Sequence, residues 1–128
     1  MSEDNVKEKP KILIVDDTRL MRSIVGQIFI ENGHRVIEAE NGEDALFMAG
    51  QFLPDLIVMD INMPKKTGIE ALRELRQDER FADTAVVMLT SEQDRNTIME
   101  ALQGGASDYI VKNDIGTCVK NFNLISIC

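Results

Sequence analysis

Near its N-terminal end the chain reads Ile12-Leu13-Ile14-Val15-Asp16-Asp17, four apolar residues followed at once by two acids. A second run of the same kind, Leu56-Ile57-Val58-Met59, ends at Asp60. Each run has the length and composition of a strand buried on both faces, so each acid falls where a strand leaves the core. If these strands are parallel neighbours, their acids meet at the carboxyl edge of the sheet, where open α/β sheets bind ligands.

Three carboxylates that share one place require a compensating charge. Because like charges repel, the pKa of each acid rises unless a cation lies between them. Carboxylate oxygens are hard ligands of the kind that Mg²⁺ prefers. Asp16, Asp17 and Asp60 are therefore predicted to form a metal site, and Mg²⁺ is the expected cofactor.

The remainder of the chain repeats one pattern. Apolar runs of strand length alternate with segments that carry apolar residues at helical spacing. The predicted strands are residues 11–16, 35–39, 55–60, 84–90 and 107–111. Turn signals separate the segments, and His34, which follows the turn Asn32-Gly33, is expected to be solvated. Strict alternation predicts an α/β domain with a parallel sheet, helices on both faces and right-handed crossovers.

Composition narrows the class of protein. The chain has 128 residues, the size of one domain, and its net charge of −8 argues against direct binding to nucleic acid. No apolar stretch is long enough to span a membrane, so no membrane partner is expected. Residues 1–10 are polar and are interpreted as a disordered leader rather than a secretory signal, which leaves residues 11–128 as the domain. Two cysteines are too few for a disulfide framework, and a cytoplasmic location is expected.

Two more polar residues fall at strand ends. Thr90 follows Ala85-Val86-Val87-Met88-Leu89, and Lys112 follows Tyr109-Ile110-Val111. Taken singly, a threonine here is usually a turn residue and a lysine is usually solvated. Together with three acids at the same edge, however, a hydroxyl and an amine complete the set that phosphoryl transfer to a carboxylate requires.

The chain resembles the receiver domains of two-component response regulators, of which the chemotaxis receiver is the simplest member. The resemblance covers about residues 11–112 and rests on four motifs: Asp16-Asp17, Asp60-Ile61-Asn62-Met63-Pro64 with Gly68, Met88-Leu89-Thr90-Ser91, and Gly105-Ala106-Ser107-Asp108-Tyr109-Ile110-Val111-Lys112. It implies a flavodoxin-like (βα)5 doubly wound sheet with strand order 2-1-3-4-5. That order would bring the three acids together.

The resemblance also implies a role for each site residue. Asp60 would be the phosphoacceptor, taking a phosphoryl group from a sensor histidine kinase or a phosphotransfer protein. Lys112 and the Thr90 hydroxyl would contact the phosphoryl oxygens. The implied holders of Mg²⁺ are Asp16 (through water), Asp17, Asp60 and the backbone carbonyl of Asn62. Such a domain is not an enzyme in the usual sense, since it catalyses only its own phosphorylation and dephosphorylation.

Signal output is implied in the same way. Thr90 and Tyr109 would form a switch that responds to the phosphoryl group, and Asn62 and Glu92 would tune the lifetime of that group. The surface that changes would comprise helix 4, strand 5 and helix 5. A downstream protein is the expected partner of this face.

The sequence departs from the family pattern after the lysine. Asn113 stands where family members commonly have a proline. The segment that follows has apolar residues at helical spacing, yet Gly116, Thr117, Asn121 and Asn123 make it a poor helix. An atypical fifth helix, residues 113–128, is therefore expected to depend on packing, and it is a candidate site of dimerisation.

Two alternatives stay open at this stage. One is a pseudo-receiver, a binding module that keeps the fold but signals without phosphorylation, and Asn113 is the residue that favours it. The other is a small Mg²⁺-dependent aspartyl phosphatase. Such enzymes usually carry a second acid two residues after the nucleophile, where this chain has Asn62, and a cap domain as well.

Overall fold

The computed structural model describes residues 9–91 and 95–112, which form a parallel sheet flanked by helices. In chain order the elements are β1 Lys11–Val15, α1 Arg19–Glu31, β2 Arg35–Ala39, α2 Gly42–Phe52, β3 Leu56–Asp60, α3 Gly68–Gln77, a 3-10 helix Glu79–Phe81, β4 Ala85–Thr90, α4 Arg95–Gln103 and β5 Asp108–Val111. Each predicted strand is present and differs by at most one residue at either end. The 3-10 helix was not predicted.

The five strands lie in the order β2-β1-β3-β4-β5, and every neighbouring pair is parallel. The predicted strand order is thereby confirmed. Val15 of β1 pairs with Met59 of β3, so Asp16 and Asp60, the next residues along each strand, lie at the same level of the sheet. The two apolar runs are thus the central strands, which explains why they lack the polar alternation of an edge strand.

Both faces of the sheet are buried. Side chains alternate between the faces along a strand. On one face Leu13 and Val15 join a cluster with the buried sides of α2 and α3. On the other face Ile12 and Ile14 pack with Val25 and Phe29 of α1. Full burial of each such side chain contributes roughly 1.5 to 3 kcal/mol, so β1 is anchored from both sides.

Side-chain caps place three helix starts at the carboxyl edge of the sheet. Thr18 caps α1, Asn41 caps α2 and Thr67 caps α3 by accepting hydrogen bonds from backbone N–H groups of the first turn. Thr67 and Glu70 form a reciprocal capping box. These caps end the loops that leave β1, β2 and β3.

The prediction that His34 is solvated is wrong. Its side chain is buried, its Nδ1 lies 3.2 Å from the carbonyl oxygen of Phe29, and its ring meets the Phe29 ring edge-on. Gly33 has a φ of 86°, which turns the chain back across the end of α1 and so brings His34 against Phe29. The turn signal Asn32-Gly33 by itself does not reveal this return of the chain.

The predictions for the two ends of the chain are only partly within reach of the structure. The atypical fifth helix, residues 113–128, and the greater part of the leader, residues 1–8, lie outside the described residues. The last two residues of the predicted leader contact β2, since the carbonyls of Lys9 and Pro10 accept hydrogen bonds from Arg35. Among the described helices none has the length and apolar character needed to cross a membrane.

Candidate metal centre

The structure brings the three predicted acids together. One carboxylate oxygen from each of Asp16, Asp17 and Asp60 lies within 4.8 Å of the other two. Asp16 and Asp60 are buried, with 0% and 3% of their surfaces exposed, whereas Asp17 is exposed. Two of the acids are therefore held in the end of the sheet, and the third faces the solvent side of the same cluster.

Lys112 reaches the same cluster from β5. Its Nζ lies 3.1 Å from Oδ2 of Asp16 and 3.2 Å from Oδ2 of Asp60. Because Thr90 pairs with Val111, the lysine leaves the sheet just beyond the end of β4 and extends across it. One ammonium then faces two buried carboxylates, so the cluster keeps a net negative charge even before Asp17 is counted.

The pKa shifts of Asp60 and Lys112 reflect this excess of negative charge. Burial raises the pKa of Asp60, and the nearby Asp16 carboxylate raises it further, while Lys112 opposes both effects without cancelling them. Burial lowers the pKa of Lys112, but its contacts with Asp16 and Asp60 outweigh that effect and leave the pKa above that of an ordinary lysine. Lys112 is therefore a fixed cation, and a second cation would relieve the remaining repulsion.

Asp16 is held on several sides by the loop that follows it. Its Oδ1 accepts hydrogen bonds from the backbone N–H and the hydroxyl of Thr18, at 2.9 and 3.0 Å. Its backbone N–H donates to the carbonyl of Ala39, and its own carbonyl accepts from Arg22. These contacts orient the side chain so that Oδ2 faces Asp60.

Oδ2 of Asp16 is buried, and among the described residues its one cationic partner is the Lys112 ammonium, at 3.1 Å. The same ammonium lies 3.2 Å from Oδ2 of Asp60, so the two carboxylates share it. A buried carboxylate oxygen that shares its one cation is stabilised when a second cation or a water occupies its free direction. Together with the oxygens of Asp17 and Asp60 it forms a hard, acid-rich donor set that fits Mg²⁺.

The other predicted site residues are distributed around this cluster. Thr90 is buried at the end of β4, one residue beyond Leu89, the pairing partner of Asp60. The backbone N–H of Asn62 donates to Oδ1 of Asp60 at 3.3 Å, and its side chain is exposed. Tyr109 lies on β5 with 37% of its surface exposed. Glu92 lies outside the described residues.

Gly68 explains how α3 can start so close to Asp60. A Cβ built on Gly68 would lie 2.1 Å from the carbonyl oxygen of Asp60 and 2.9 Å from the terminal methyl of Met88. Its N–H donates to the carbonyl of Ile61. Any side chain at this position would push α3 away from the end of β3, so the glycine keeps the loop after Asp60 compact.

Three residues near the cluster were not predicted from the sequence: Thr18, Arg22 and Glu38. Thr18 could have been found, because a threonine just before a helical pattern is a common N-cap. Arg22 and Glu38 could not, because their importance depends on the packing of α1 beside β2. Arg22 donates to Glu38 Oε1 at 2.8 Å as well as to the Asp16 carbonyl.

Comparison with known proteins agrees with this geometry. Residues 12–120 match the family described as the response regulator receiver domain, so the chain belongs to that family. The chain is 41% identical over 103 residues to the chemotaxis protein CheY of Bacillus subtilis, covering 80% of this chain and 84% of that protein. It is 38% identical over 106 residues to histidine kinase P4 of Formosa agariphila, covering 83% of this chain but 8% of the kinase.

A solved structure shows the same fold. The chemotaxis protein CheY4 of Vibrio cholerae, crystallised at low pH, superposes with a TM-score of 0.84 at 31% identity. The match covers 91% of this chain and 98% of that one. The predicted fold class and the predicted family are both confirmed. The relatives of the chain thus include chemotaxis proteins and a histidine kinase.

Proposed function

We propose that this domain is a phosphoacceptor that takes a phosphoryl group from a phosphohistidine of a sensor kinase or phosphotransfer protein onto Asp60. The single observation that carries the proposal is the position of Asp60. Its carboxylate is buried at the carboxyl edge of the sheet, 3.2 Å from a lysine ammonium and clustered with two further acids. Membership of the receiver family supports a kinase as the donor.

The transfer step forms one bond and breaks another. A carboxylate oxygen of Asp60 attacks phosphorus, and a P–O bond forms as the P–N bond to the donor histidine breaks. The electron pair of that bond returns to the imidazole, which leaves neutral when its other ring nitrogen carries a proton. Burial favours the attack, because the Asp60 carboxylate has little hydration to lose as phosphorus approaches.

Apart from positioning, phosphoryl transfer is accelerated mainly by fixed positive charges that stabilise the negative charge on the phosphoryl oxygens. The Lys112 ammonium already lies beside Asp60 and is placed to receive a phosphoryl oxygen. The Thr90 hydroxyl, at the end of the neighbouring strand, is proposed to donate to another. Mg²⁺ bound at the site would neutralise charge on the phosphoryl group. Its proposed ligands are Asp17, Asp60, the carbonyl of Asn62 and, through water, Asp16.

The surface beside β5 is the proposed output face. A groove of about 690 Å³ is lined by Arg95, Ile98, Met99, Leu102 and Tyr109. Met99 and Leu102 are 47% and 40% exposed and line the same groove, and adjacent exposed apolar side chains of this kind suit a protein partner. A phosphoryl group adds about two negative charges near Thr90, and we propose that Tyr109 turns inward as Thr90 moves towards it. Asn62 and Glu92 are proposed to tune the lifetime of the phosphoryl group on Asp60.

Intact mass after incubation with acetyl phosphate and Mg²⁺ tests the proposal. We expect the wild-type chain to gain one phosphoryl group only when Mg²⁺ is present, and Asp60→Asn to gain none. Asp55→Asn is the matched control. Asp55 precedes the first residue of β3, at the end of the strand opposite to Asp60, so this substitution should leave labelling unchanged. No gain by the wild-type chain, under conditions that preserve acyl phosphates, would favour the pseudo-receiver. Turnover of an external phosphoester would favour the phosphatase.

A further inference from the structure

We infer that Arg22 is a positioning residue for the metal-binding acids, acting through the backbone of Asp16. The inference rests on the proposed function, since it concerns the acids as ligands of Mg²⁺. Arg22 lies in α1 with 13% of its side chain exposed. Its Nη1 donates to the Asp16 carbonyl at 2.8 Å, and its Nε donates to Glu38 Oε1 at 2.8 Å.

The Asp16 carbonyl that accepts from Arg22 belongs to the peptide group that joins Asp16 to Asp17, the exposed acid of the cluster. The peptide group is planar, so the carbonyl of Asp16 and the N–H of Asp17 lie in one plane. A hydrogen bond that fixes the direction of this carbonyl therefore also fixes the direction in which the chain enters Asp17. In the part of the chain that the structure describes, the Asp17 carboxylate has no hydrogen-bond donor of its own. Its position accordingly depends on the backbone that Arg22 holds.

Arg22 is the only described side chain that holds this peptide plane. The other contacts of Asp16 act elsewhere: Thr18 holds the carboxylate, and Ala39 accepts from the backbone N–H. Glu38 in turn orients Arg22, since the donors of a guanidinium point in fixed directions and a bond at Nε restricts the plane of the whole group. The resulting chain of contacts runs from β2 through α1 to the acid pair.

The charge of Arg22 suits this role as well. The guanidinium brings a positive charge beside a cluster with excess negative charge, but it donates to the Asp16 carbonyl and to Glu38, and not to a carboxylate of the three clustered acids. The ligand oxygens of the acids therefore remain available, in contrast to Lys112, which lies directly against two of them. Residues that orient the ligands of a metal in this way commonly affect affinity about 10-fold to 100-fold when they are replaced.

A purely structural role would have a different signature. The Arg22–Glu38 pair joins α1 to β2, and Glu38 is half exposed, so the ion pair by itself contributes little to stability. Loss of such a pair lowers thermal stability slightly and leaves the affinity for Mg²⁺ unchanged. Affinity for Mg²⁺ in the unphosphorylated chain is therefore the readout that separates the two roles.

The test is isothermal titration of Mg²⁺ into the full chain, with Arg22→Ala, Arg22→Lys, Glu38→Gln and Arg19→Ala compared with wild type. Arg22→Ala should weaken binding about 10-fold or more. Arg22→Lys keeps the positive charge but loses the fixed pair of guanidinium donors that contact Asp16 and Glu38, so it should also weaken Mg²⁺ binding. Arg19→Ala removes a neighbouring, exposed cation of the same helix and should change affinity less than about 2-fold. If Arg22→Ala does not fold, Arg22→Lys and Glu38→Gln carry the test.

Labelling by acetyl phosphate supplies a second readout. Variants of Arg22 should need more Mg²⁺ for half-maximal labelling of Asp60 but reach the wild-type rate at saturating Mg²⁺, because the phosphoacceptor itself is untouched. Wild-type affinity in the Arg22 variants, or an equal loss in Arg19→Ala, would overturn the inference. A wild-type chain that neither binds Mg²⁺ nor becomes labelled would instead overturn the proposed function on which it rests.

Discussion

Asp60 meets opposing demands at the scale of a single residue. Burial at the end of β3 suits a nucleophile, but it places a carboxylate beside Asp16 with one ammonium between them. The result is a raised pKa, caused first by burial and then by Asp16. An acid whose pKa is raised on folding destabilises the folded state wherever it is ionised, so the site is maintained at a cost in stability.

Asp60→Asn should therefore stabilise the chain in the absence of Mg²⁺. The amide keeps the shape of the side chain, removes one of two buried negative charges and leaves Lys112 paired with Asp16. We expect an increase of about 1 kcal/mol in the free energy of unfolding at neutral pH, measured by urea denaturation. Asp17→Asn, at an exposed acid, should have a smaller effect.

The pH dependence of that difference has a definite sign. The pKa of Asp60 in the folded chain lies above its ordinary value of 3.8, so below that value the acid is protonated in both states and costs nothing. The cost appears as pH rises through the range up to the raised pKa, and it is complete above it. The two chains should therefore be equally stable in acid and diverge towards neutral pH. A constant difference at every pH would point to packing instead.

At the scale of the element, the end of α2 shows a local backbone cost. Leu53 is the C-cap of α2, where it adopts left-handed angles (φ 49°, ψ 64°), and its side chain is 54% exposed. A residue with a Cβ is disfavoured in this region, and glycine is the usual residue at such a helix end. Little apolar burial compensates for the strain at this position.

Leu53→Gly should accordingly raise the free energy of unfolding, by about 0.5 to 1 kcal/mol. Leu53→Ala is the control, because it removes most of the side chain but keeps the Cβ and therefore the strain. Thermal and urea denaturation of both variants provide the measurement. A gain in the alanine variant equal to that in the glycine variant would show that the exposed leucine side chain, not the backbone, is responsible.

Element boundaries were predictable where polar residues end apolar runs. Asp16, Asp60, Thr90 and Lys112 each mark the end of a strand to within one residue. The 3-10 helix Glu79–Phe81 escaped prediction because it follows α3 without an apolar run of its own. It depends on Asp78, whose side chain accepts from the backbone N–H of Arg80, and on burial of Phe81 against the core.

At the scale of the whole molecule, Arg76 joins segments that are distant in sequence. The chain pattern places Arg76 beside the apolar positions of α3, yet its guanidinium donates to the carbonyls of Phe81, Thr84 and Gly105 at 2.7 to 2.9 Å. Burial lowers the pKa of Arg76, and the charge of Asp83 opposes this effect only in part. Arg76 links α3 to the start of β4 and to the turn before β5.

Replacing Arg76 with methionine should destabilise the chain by about 2 to 4 kcal/mol, because up to three carbonyls lose a charged donor while the stem is largely retained. The stability of Arg76→Lys should lie between that of wild type and that of Arg76→Met, since one ammonium reaches fewer of these carbonyl oxygens. Urea denaturation monitored by far-UV circular dichroism provides the measurement. A loss below about 0.5 kcal/mol for Arg76→Met would show that solvent replaces the arginine without difficulty.

The proposed coupling between Asp60 and the surface at Tyr109 can be followed by intrinsic fluorescence, without an added fluorophore. The chain contains one tyrosine and no tryptophan, so tyrosine emission reports on Tyr109 alone. If Tyr109 turns inward as proposed, acetyl phosphate and Mg²⁺ should change its emission and reduce its quenching by iodide. Asp60→Asn should abolish the change. Unaltered quenching in a chain that mass spectrometry shows to be phosphorylated would rule out this switch.

The alternation of apolar runs and helical patterns determined the class of fold, because burial on both faces of a parallel sheet requires such runs. The acids, Thr90 and Lys112 were visible for the same reason, since polar residues at strand ends interrupt that burial. The tertiary structure alone decided how these residues are held: Lys112 between two carboxylates, Gly68 beneath Asp60, Arg22 on the Asp16 carbonyl and His34 against Phe29. Each of these contacts joins elements whose distance and angle depend on packing, which no local pattern of residues encodes.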